Sequence, residues 1–342
     1  MNNKIKRFFN NKTILITGGL GSIGSAIVRR VLSLNPKKIK VVDNRETGLF
    51  YGIYYNRDEK IEYYFVDIRD KNSLEKVMKN VDVVFHAAAM KHVLVCERNP
   101  FEAVKTNVIG TQNVIEACVN NGIKKMILIS TDKAVNPTNV MGATKLLAER
   151  IVAAMYNLRN EINTEFGIVR FGNVLYSRGS VLAIWENQLK EGRKITITDP
   201  EMTRFFMDTS QAVDLILSAA YYAKNSEIFI FKIPSCKIAT LAEAYLELKG
   251  YALDHYTVIG IREGEKTHEE LLSKNDTGLL MEKDEFFLKL PLQLKKIDMK
   301  YYRQIGLKKS KMNSFISNDP KFLLKKGQIK QILKNFLTKD FI

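Results

Sequence analysis

No stretch of the 342-residue sequence approaches the roughly 18–20 consecutive apolar residues that a helix needs to cross a bilayer. The first twelve residues, MNNKIKRFFNNK, lead directly into TILIT, not into a signal-type apolar stretch ending in small residues. The expectation is a soluble, cytoplasmic protein. Cysteine is scarce: Cys96, Cys118 and Cys236 show no CxxC spacing, and three thiols cannot all pair, which excludes a disulfide-built secreted domain. The four histidines have no HxxxH or comparable spacing, so no metal site is expected. His86, inside an apolar run, reads as a hydrogen-bonded core residue. Glycine and proline are not inflated, and neither fixed-period repeats nor low-complexity linkers occur, which excludes fibrous and disordered classes.

Negative charge is also in short supply, and unevenly so. Residues 300–342 contain 11 Lys or Arg against two Asp or Glu, so +9 of the formal net charge of +16 sits in this tail. Its segment FLLKKGQIKQILKNFL spaces apolar residues near a helical period with lysines between them. The leading reading is a C-terminal helix packed on the body with a solvated basic face. Docking on an anionic membrane surface is the next alternative, and nucleic-acid binding is set aside because no nucleic-acid motif accompanies the charge.

What is present is a rhythm. TILIT (13–17), KIKVVD (38–43), YYFVD (63–67), DVVFHAA (82–88) and KMILIST (125–131) read as buried strands. Amphipathic stretches at 22–34, 72–79 and 103–120 lie between them, and a helix at 142–158 and a strand at 167–174 follow. This alternation predicts an α/β fold, a doubly wound parallel sheet of Rossmann type with helices on both faces. Past residue 175 the elements shorten. The expected organisation is a dinucleotide-binding domain over 1–175 with a return segment near 206–236. A smaller substrate lobe is expected over 176–205 and 237–299, followed by the tail.

Gly18-Gly19-Leu20-Gly21-Ser22-Ile23-Gly24 follows the first strand and opens a helix. Glycines at 18, 21 and 24 permit a tight turn and close backbone approach to a pyrophosphate, which the helix N-terminus favours. Ser22 and Ile23 belong to the same binding turn. Asp43 ends the second strand 19 residues after Gly24, where a carboxylate can bind an adenosine ribose; this favours NAD. Arg45 follows closely and is able to accommodate a 2′-phosphate, so NADP stays open. Asp67 with Ile68, and Ala87 with Ala88, end the next two strands and complete the expected cofactor contacts.

Ser130-Thr131-Asp132-Lys133 stands at the end of the fifth strand, and Val140-Met141-Gly142-Ala143-Thr144-Lys145 opens the next helix. This layout resembles the extended, sugar-nucleotide-modifying branch of the short-chain dehydrogenase/reductases, which carries Ser/Thr and then YxxxK. The run STDKAVNPTNVMGATK is similar to the UDP-N-acetylglucosamine 4,6-dehydratase group of polysaccharide-biosynthesis proteins. The likeness extends through HAAAMKHV (86–93), EAVKTNVIGTQNV (102–114), RFGNVLYSRGSV (170–181), ITDPEMTRFFM (197–207) and GIREGEKTHEELL (260–272), roughly residues 12–273 in all.

The resemblance implies oxidation at C4 of a UDP-linked N-acetylhexosamine, loss of water across C5 and C6, and reduction at C6, with the cofactor carrying the redox chemistry. It assigns Asp132 as the acid for the departing hydroxyl and Lys133 as the base for the C5 proton. A basic lysine must be neutral, and burial or positive charge from Lys145 is expected to lower its pKa. Lys145 is assigned to the nicotinamide ribose, and Asn107 to supporting the helix that carries it. Met141 occupies the tyrosine position and cannot take a proton, so the base for the 4-hydroxyl is open among Thr131, Lys145 and a water relay. Arg204 and Arg262 are the candidates for the diphosphate, with Lys91 and Asn173 toward sugar or phosphate and Ser180 and Glu265 toward the nucleotide. Homo-oligomers are common in the group. A UDP-sugar 4-epimerase and a catalytically silent, nucleotide-binding regulator are the alternative functions.

Overall fold

β-Branched, aliphatic and aromatic residues dominate the strands Thr13–Thr17 (β1), Lys38–Asp43 (β2), Ile61–Phe65 (β3), Val83–His86 (β4), Lys125–Ile129 (β5) and Glu165–Arg170 (β6). Every residue of β1, β4 and β5 is buried, as a parallel sheet covered on both faces requires. These strands and Glu227–Phe231 run parallel in the order β3-β2-β1-β4-β5-β6 and then 227–231. Phe286–Lys289, Leu280–Glu282 and Lys308–Lys309 extend the sheet antiparallel to ten strands. The fold is therefore α/β, a Rossmann-type doubly wound sheet. Chain order reverses between β1 and β4, which opens a crevice at the carboxyl ends of the strands. The computed structural model describes residues 3–56, 58–276, 278–291, 294 and 299–337. The remainder of the expected domain, lobe and tail boundaries, including 338–342, lies outside the described residues.

A smaller lobe has its own core. A three-stranded sheet of Asn173–Val174, Thr203–Met207 and Ser235–Lys237, with the pair Ile195–Ile197 and Tyr256–Val258, packs with the helices Val181–Lys190 and Ile238–Leu248. Trp185, Leu241 and Tyr245 are buried there, and Ile329 and Leu333 of the helix Lys326–Leu337 join them. Lys326 and Lys330 of that helix pair with Glu247. Tyr302, Leu307 and Phe315 are also buried, so much of the basic C-terminal segment is body rather than appendage.

Three departures from the expected elements have physical causes. Residues 280–289, placed in the lobe from sequence, belong to the main sheet, where Phe286, Phe287 and Leu288 pack beside Phe229. The expected strand 167–174 is two strands: the chain leaves the main sheet at Phe171-Gly172, where Gly172 lies against Phe205, and enters the lobe sheet at Asn173. The stretch 103–120 is interrupted by a π-helical turn at Lys105–Ile109, whose Asn107 side chain turns inward to hold the Met90 backbone and Thr144.

The main sheet and the returning strand are locked by buried charge. Arg170, at the end of β6, donates to Glu149 at 2.6 Å and to Asp276 at 3.2 Å, and Asp276 also pairs with Lys289. Burial alone would oppose the guanidinium charge, but the two carboxylates outweigh it and raise the Arg170 pKa. Removing one member leaves another charge buried without its partner. Glu149→Ala is expected to destabilise the protein by about 3 kcal/mol, measured by denaturant unfolding; a loss within error would refute the role of this network.

Candidate active site

The crevice between sheet and lobe is a cavity of about 900 Å³. Its first wall is the glycine turn. Gly18 has φ +63°, and a Cβ there would lie 2.7 Å from the Ala88 backbone, so only glycine lets the turn close on the end of β4. The helix Ser22–Leu32 starts at this turn, and Gly18, Gly21, Ser22, Ile23 and Gly24 all line the cavity. Asp43, Arg45, Asp67, Ile68, Ala87 and Ala88 line it too. Asp43 accepts from the Leu20 backbone, and Arg45 is folded onto it, with Nε 3.0 Å from Oδ1. Hydrogen bonds from Arg69 hold the Asp67 carboxyl below its ordinary range. The turn, the helix start and the strand-end carboxylates fit a dinucleotide.

The floor of the cleft is the end of β5. Thr131 caps a short 3-10 turn, Asp132–Ala134, and donates its hydroxyl hydrogen to Asp132 Oδ1 at 2.8 Å. Asp132 is fully buried beneath the lining, and its Oδ2 has no hydrogen-bond partner. Lys133 Nζ donates to Asp132 Oδ1 at 2.9 Å and lies 3.4 Å from both Asn173 Oδ1 and Glu269 Oε1. Asn139 caps the helix Val140–Ala154 by accepting from the Gly142 backbone, which brings Met141 and Lys145 to the cavity wall. Met141 packs with Cys96 and Ala103. The Lys145 amine donates to the Ile129 carbonyl at 2.7 Å, and burial, against the opposing pull of Glu149, brings its pKa down to about 8. His86 hydrogen-bonds Thr17 and Thr111, and burial, with Lys145 second, pushes its pKa down to about 3.

The expected pKa of Lys133 needs correction. Burial does oppose its charge, but Asp132 and then Glu269 outweigh that effect, and the ammonium is held above its ordinary range. The cation that opposes its charge is Arg204 rather than the expected Lys145. Glu269 is the residue that sequence reasoning missed. It is 3% exposed, lines the cavity, and has one oxygen without a hydrogen-bond partner. Its placement depends on the C-terminal segment: Ser317 Oγ accepts from the Glu269 backbone at 2.9 Å and hydrogen-bonds Thr203, and Ser317 N donates to the Glu269 carbonyl.

The expected substrate residues divide. Lys91, Asn173, Ser180, Arg204 and Glu265 line the cavity. Lys91 donates to the Arg178 carbonyl, while Ser180 begins the helix Val181–Lys190 with its buried hydroxyl unpartnered. Arg204 spends Nη1 on the carbonyls of Thr203 and Thr267. Arg262 does not line the cavity; its half-exposed guanidinium faces Glu265 on its own turn. Among the described residues no group of His, Cys, Asp and Glu is arranged to hold a metal, and no helix is long and apolar enough to cross a membrane.

The fold and the cleft are those of an extended short-chain dehydrogenase/reductase. More narrowly, the chain belongs to the polysaccharide biosynthesis protein family, whose sequence profile matches residues 14–290. It is 48% identical over 338 residues to a protein of Methanocaldococcus jannaschii named an uncharacterized membrane protein, covering 96% of this chain and 97% of that one. It is 44% identical over 281 residues to an inverting UDP-N-acetylglucosamine 4,6-dehydratase of Campylobacter jejuni, covering 82% and 83%. A UDP-glucose 4-epimerase of Rickettsia prowazekii is 36% identical over 339 residues, covering 98% of each chain. The X-ray structure of Pen from Bacillus thuringiensis superposes with a TM-score of 0.88 at 38% identity, covering 96% of this chain and 99% of that one.

The two carboxylates on Lys133 give a direct test. Glu269→Gln removes one negative charge beside the amine, so the ammonium is expected to lose its proton at lower pH than in the wild type. The pH dependence of Lys133 modification by an amine-selective reagent, read by peptide mass spectrometry, checks this. An unmoved profile would show that Glu269 does not act on Lys133.

Proposed function

We propose that the chain is an NAD-dependent 4,6-dehydratase acting on UDP-N-acetylglucosamine or a related UDP-hexosamine. The observation that carries this reading is the Asp132–Lys133 pair at the end of β5, joined at 2.9 Å, with Lys133 on the cleft floor and Asp132 buried directly behind it. An epimerase needs no acid for the 6-hydroxyl and no base for C5; a dehydratase needs both. The name of the Campylobacter relative supports the substrate and makes inversion at C5 the expected stereochemistry. Arg45 folded onto Asp43 supports NAD over NADP, since that guanidinium is already engaged where a 2′-phosphate would bind. Ser180 at a helix N-terminus and Lys91 are the side chains best placed for the diphosphate.

When bound, NAD supplies the hydride acceptor and donor. The chain's own residues handle protons. Lys145, with a pKa of about 8, is neutral in part near neutral pH and is the acceptor we assign to the 4-hydroxyl proton, in place of Met141. Its neutral fraction grows as pH rises, so the C4 oxidation step speeds up with pH and levels off above about 8. In the elimination, the proton shared by Lys133 and Asp132 moves to Asp132. This makes an amine and a carboxylic acid at once, with no proton drawn from solvent. The amine takes the C5 proton, the C5–H electrons form the C5–C6 double bond, and the C6–O bond breaks as Asp132 protonates the leaving hydroxyl. Ammonium and carboxylate are then restored.

Incubation with UDP-N-acetylglucosamine is expected to give a product lighter by one water, with a C6 methyl signal and a C4 ketone or its hydrate by NMR. Asp132→Asn is expected to slow this about 10²–10⁴-fold while leaving C4 oxidation in place. Recovery of a 4-epimer without loss of water would favour the reading suggested by the Rickettsia relative. Bound cofactor without turnover would favour a silent regulator.

A further inference from the structure

We propose that the face at the amino ends of the sheet strands, where two basic segments from opposite ends of the chain meet, docks on an anionic membrane surface. Residues 1–12 carry four Lys or Arg and residues 299–318 carry five, without one Asp or Glu in either segment. Together they hold more than half of the formal net charge of +16. Soluble surfaces ordinarily intersperse both signs, so two acid-free segments brought side by side call for a cause.

The fold brings them together. The helix Asn3–Phe9 buries Ile5 and Phe9 and leads through Lys12 into the start of β1. The helix Met299–Gln304 buries Tyr302, whose hydroxyl donates to Glu227, the first residue of the strand Glu227–Phe231. Both helices therefore lie at the amino ends of parallel strands, whereas the cleft lies at the carboxyl ends. Between them stands the end of the helix Thr209–Tyr222. Phe8 packs edge-on against Tyr221 with centroids 5.8 Å apart, and Tyr301 donates to the Tyr222 carbonyl at 2.8 Å. Lys224, just beyond, sits 4.2 Å over the Tyr301 ring. With Ile5, Phe9 and Tyr302 turned inward, Lys4, Lys6, Arg7, Lys300 and Arg303 are left exposed. Lys308 and Lys309 continue the positive charge along the adjoining edge strand of the sheet. Of the acids nearby, Asp82 pairs with Lys12 and Glu165 with Lys125, and the turns before β3, β4 and β6 mix both signs.

Charge and shape choose the occupant. An anionic headgroup layer attracts Lys and Arg, each giving roughly a fivefold gain in binding when close to the surface. Screening at physiological salt acts over about 8 Å, so only exposed charges that face the bilayer count. Duplex nucleic acid fits worse. The two helices span seven and six residues, too short to fill a major groove. The rings here are packed on one another instead of standing free to stack on bases. Docking by this face leaves the cleft open on the opposite side, so small ligands enter and leave while the chain stays bound.

Flotation of the full chain with lipid vesicles, without substrate, tests this apart from the enzymatic reading. At physiological ionic strength the chain is expected to float with phosphatidylcholine vesicles that contain phosphatidylglycerol, to stay behind with phosphatidylcholine alone, and to be released by high salt. The quadruple variant Lys6→Gln, Arg7→Gln, Lys300→Gln, Arg303→Gln is expected to bind more than about tenfold more weakly, with an unchanged thermal midpoint. The pair Lys326→Gln, Lys330→Gln, on the helix that packs against the lobe, is expected to bind as the wild type does. No flotation, flotation indifferent to phosphatidylglycerol, or a quadruple variant that floats like the wild type would overturn the proposal. Equal weakening by the lobe pair would also overturn it, as would a chain that retards duplex DNA in the same salt but ignores the vesicles. Should the quadruple variant fail to fold, Lys300→Gln with Arg303→Gln decides: several-fold weaker flotation supports the face, and unchanged flotation overturns it.

Discussion

A carboxylate with no exposure to solvent is costly unless a cation and hydrogen bonds accompany it. Asp132 is such a group, and the arrangement around it answers that cost. Thr131 donates to it from the preceding position, and Lys133 reaches it from the following one. Glu269 then sits on the far side of the same ammonium, with Arg204 3.8 Å beyond. Two acids and two bases thus alternate on the cleft floor, close to neutral in sum. Within it Lys133 can pass a proton to Asp132 without changing the total charge, which is the property the proposed elimination uses.

The cluster is assembled from distant parts of the chain. Asp132 and Lys133 come from the end of β5, Arg204 from the lobe strand Thr203–Met207, and Glu269 from the segment preceding Glu270–Leu272. Ser317, fully buried and beyond the residues matched by the family profile, ties Thr203 to Glu269 through one hydroxyl. The C-terminal segment therefore braces the site from behind. Its excess of lysine lies on the outer face of a stretch whose apolar residues are spent on packing.

Legibility from sequence followed locality. TILIT, the glycine turn and the aspartates at 43 and 67 are short-range patterns; the structure makes TILIT a buried strand and puts the turn and both aspartates on the cavity wall. Asp132-Lys133 was legible for the same reason. Glu269 was not, although it sits inside the motif GIREGEKTHEELL: nothing in spacing shows which of its four glutamates faces a lysine 136 residues away. The Lys133 shift was misjudged for a related reason. Burial was foreseen correctly, but its sign is decided by which charges lie within a few ångströms, and that is tertiary information. The split of residues 167–174 likewise turns on one close contact, Gly172 on Phe205, that no periodicity carries.

The central claim is that one cleft moves a hydrogen from C4 to C6 of the same sugar while Asp132 and Lys133 remove water between them. UDP-N-acetylglucosamine deuterated at C4 tests it most directly. The account predicts deuterium in the C6 methyl group of a product that has lost water. Deuterium returned to C4 of an intact sugar, in either configuration, would contradict it.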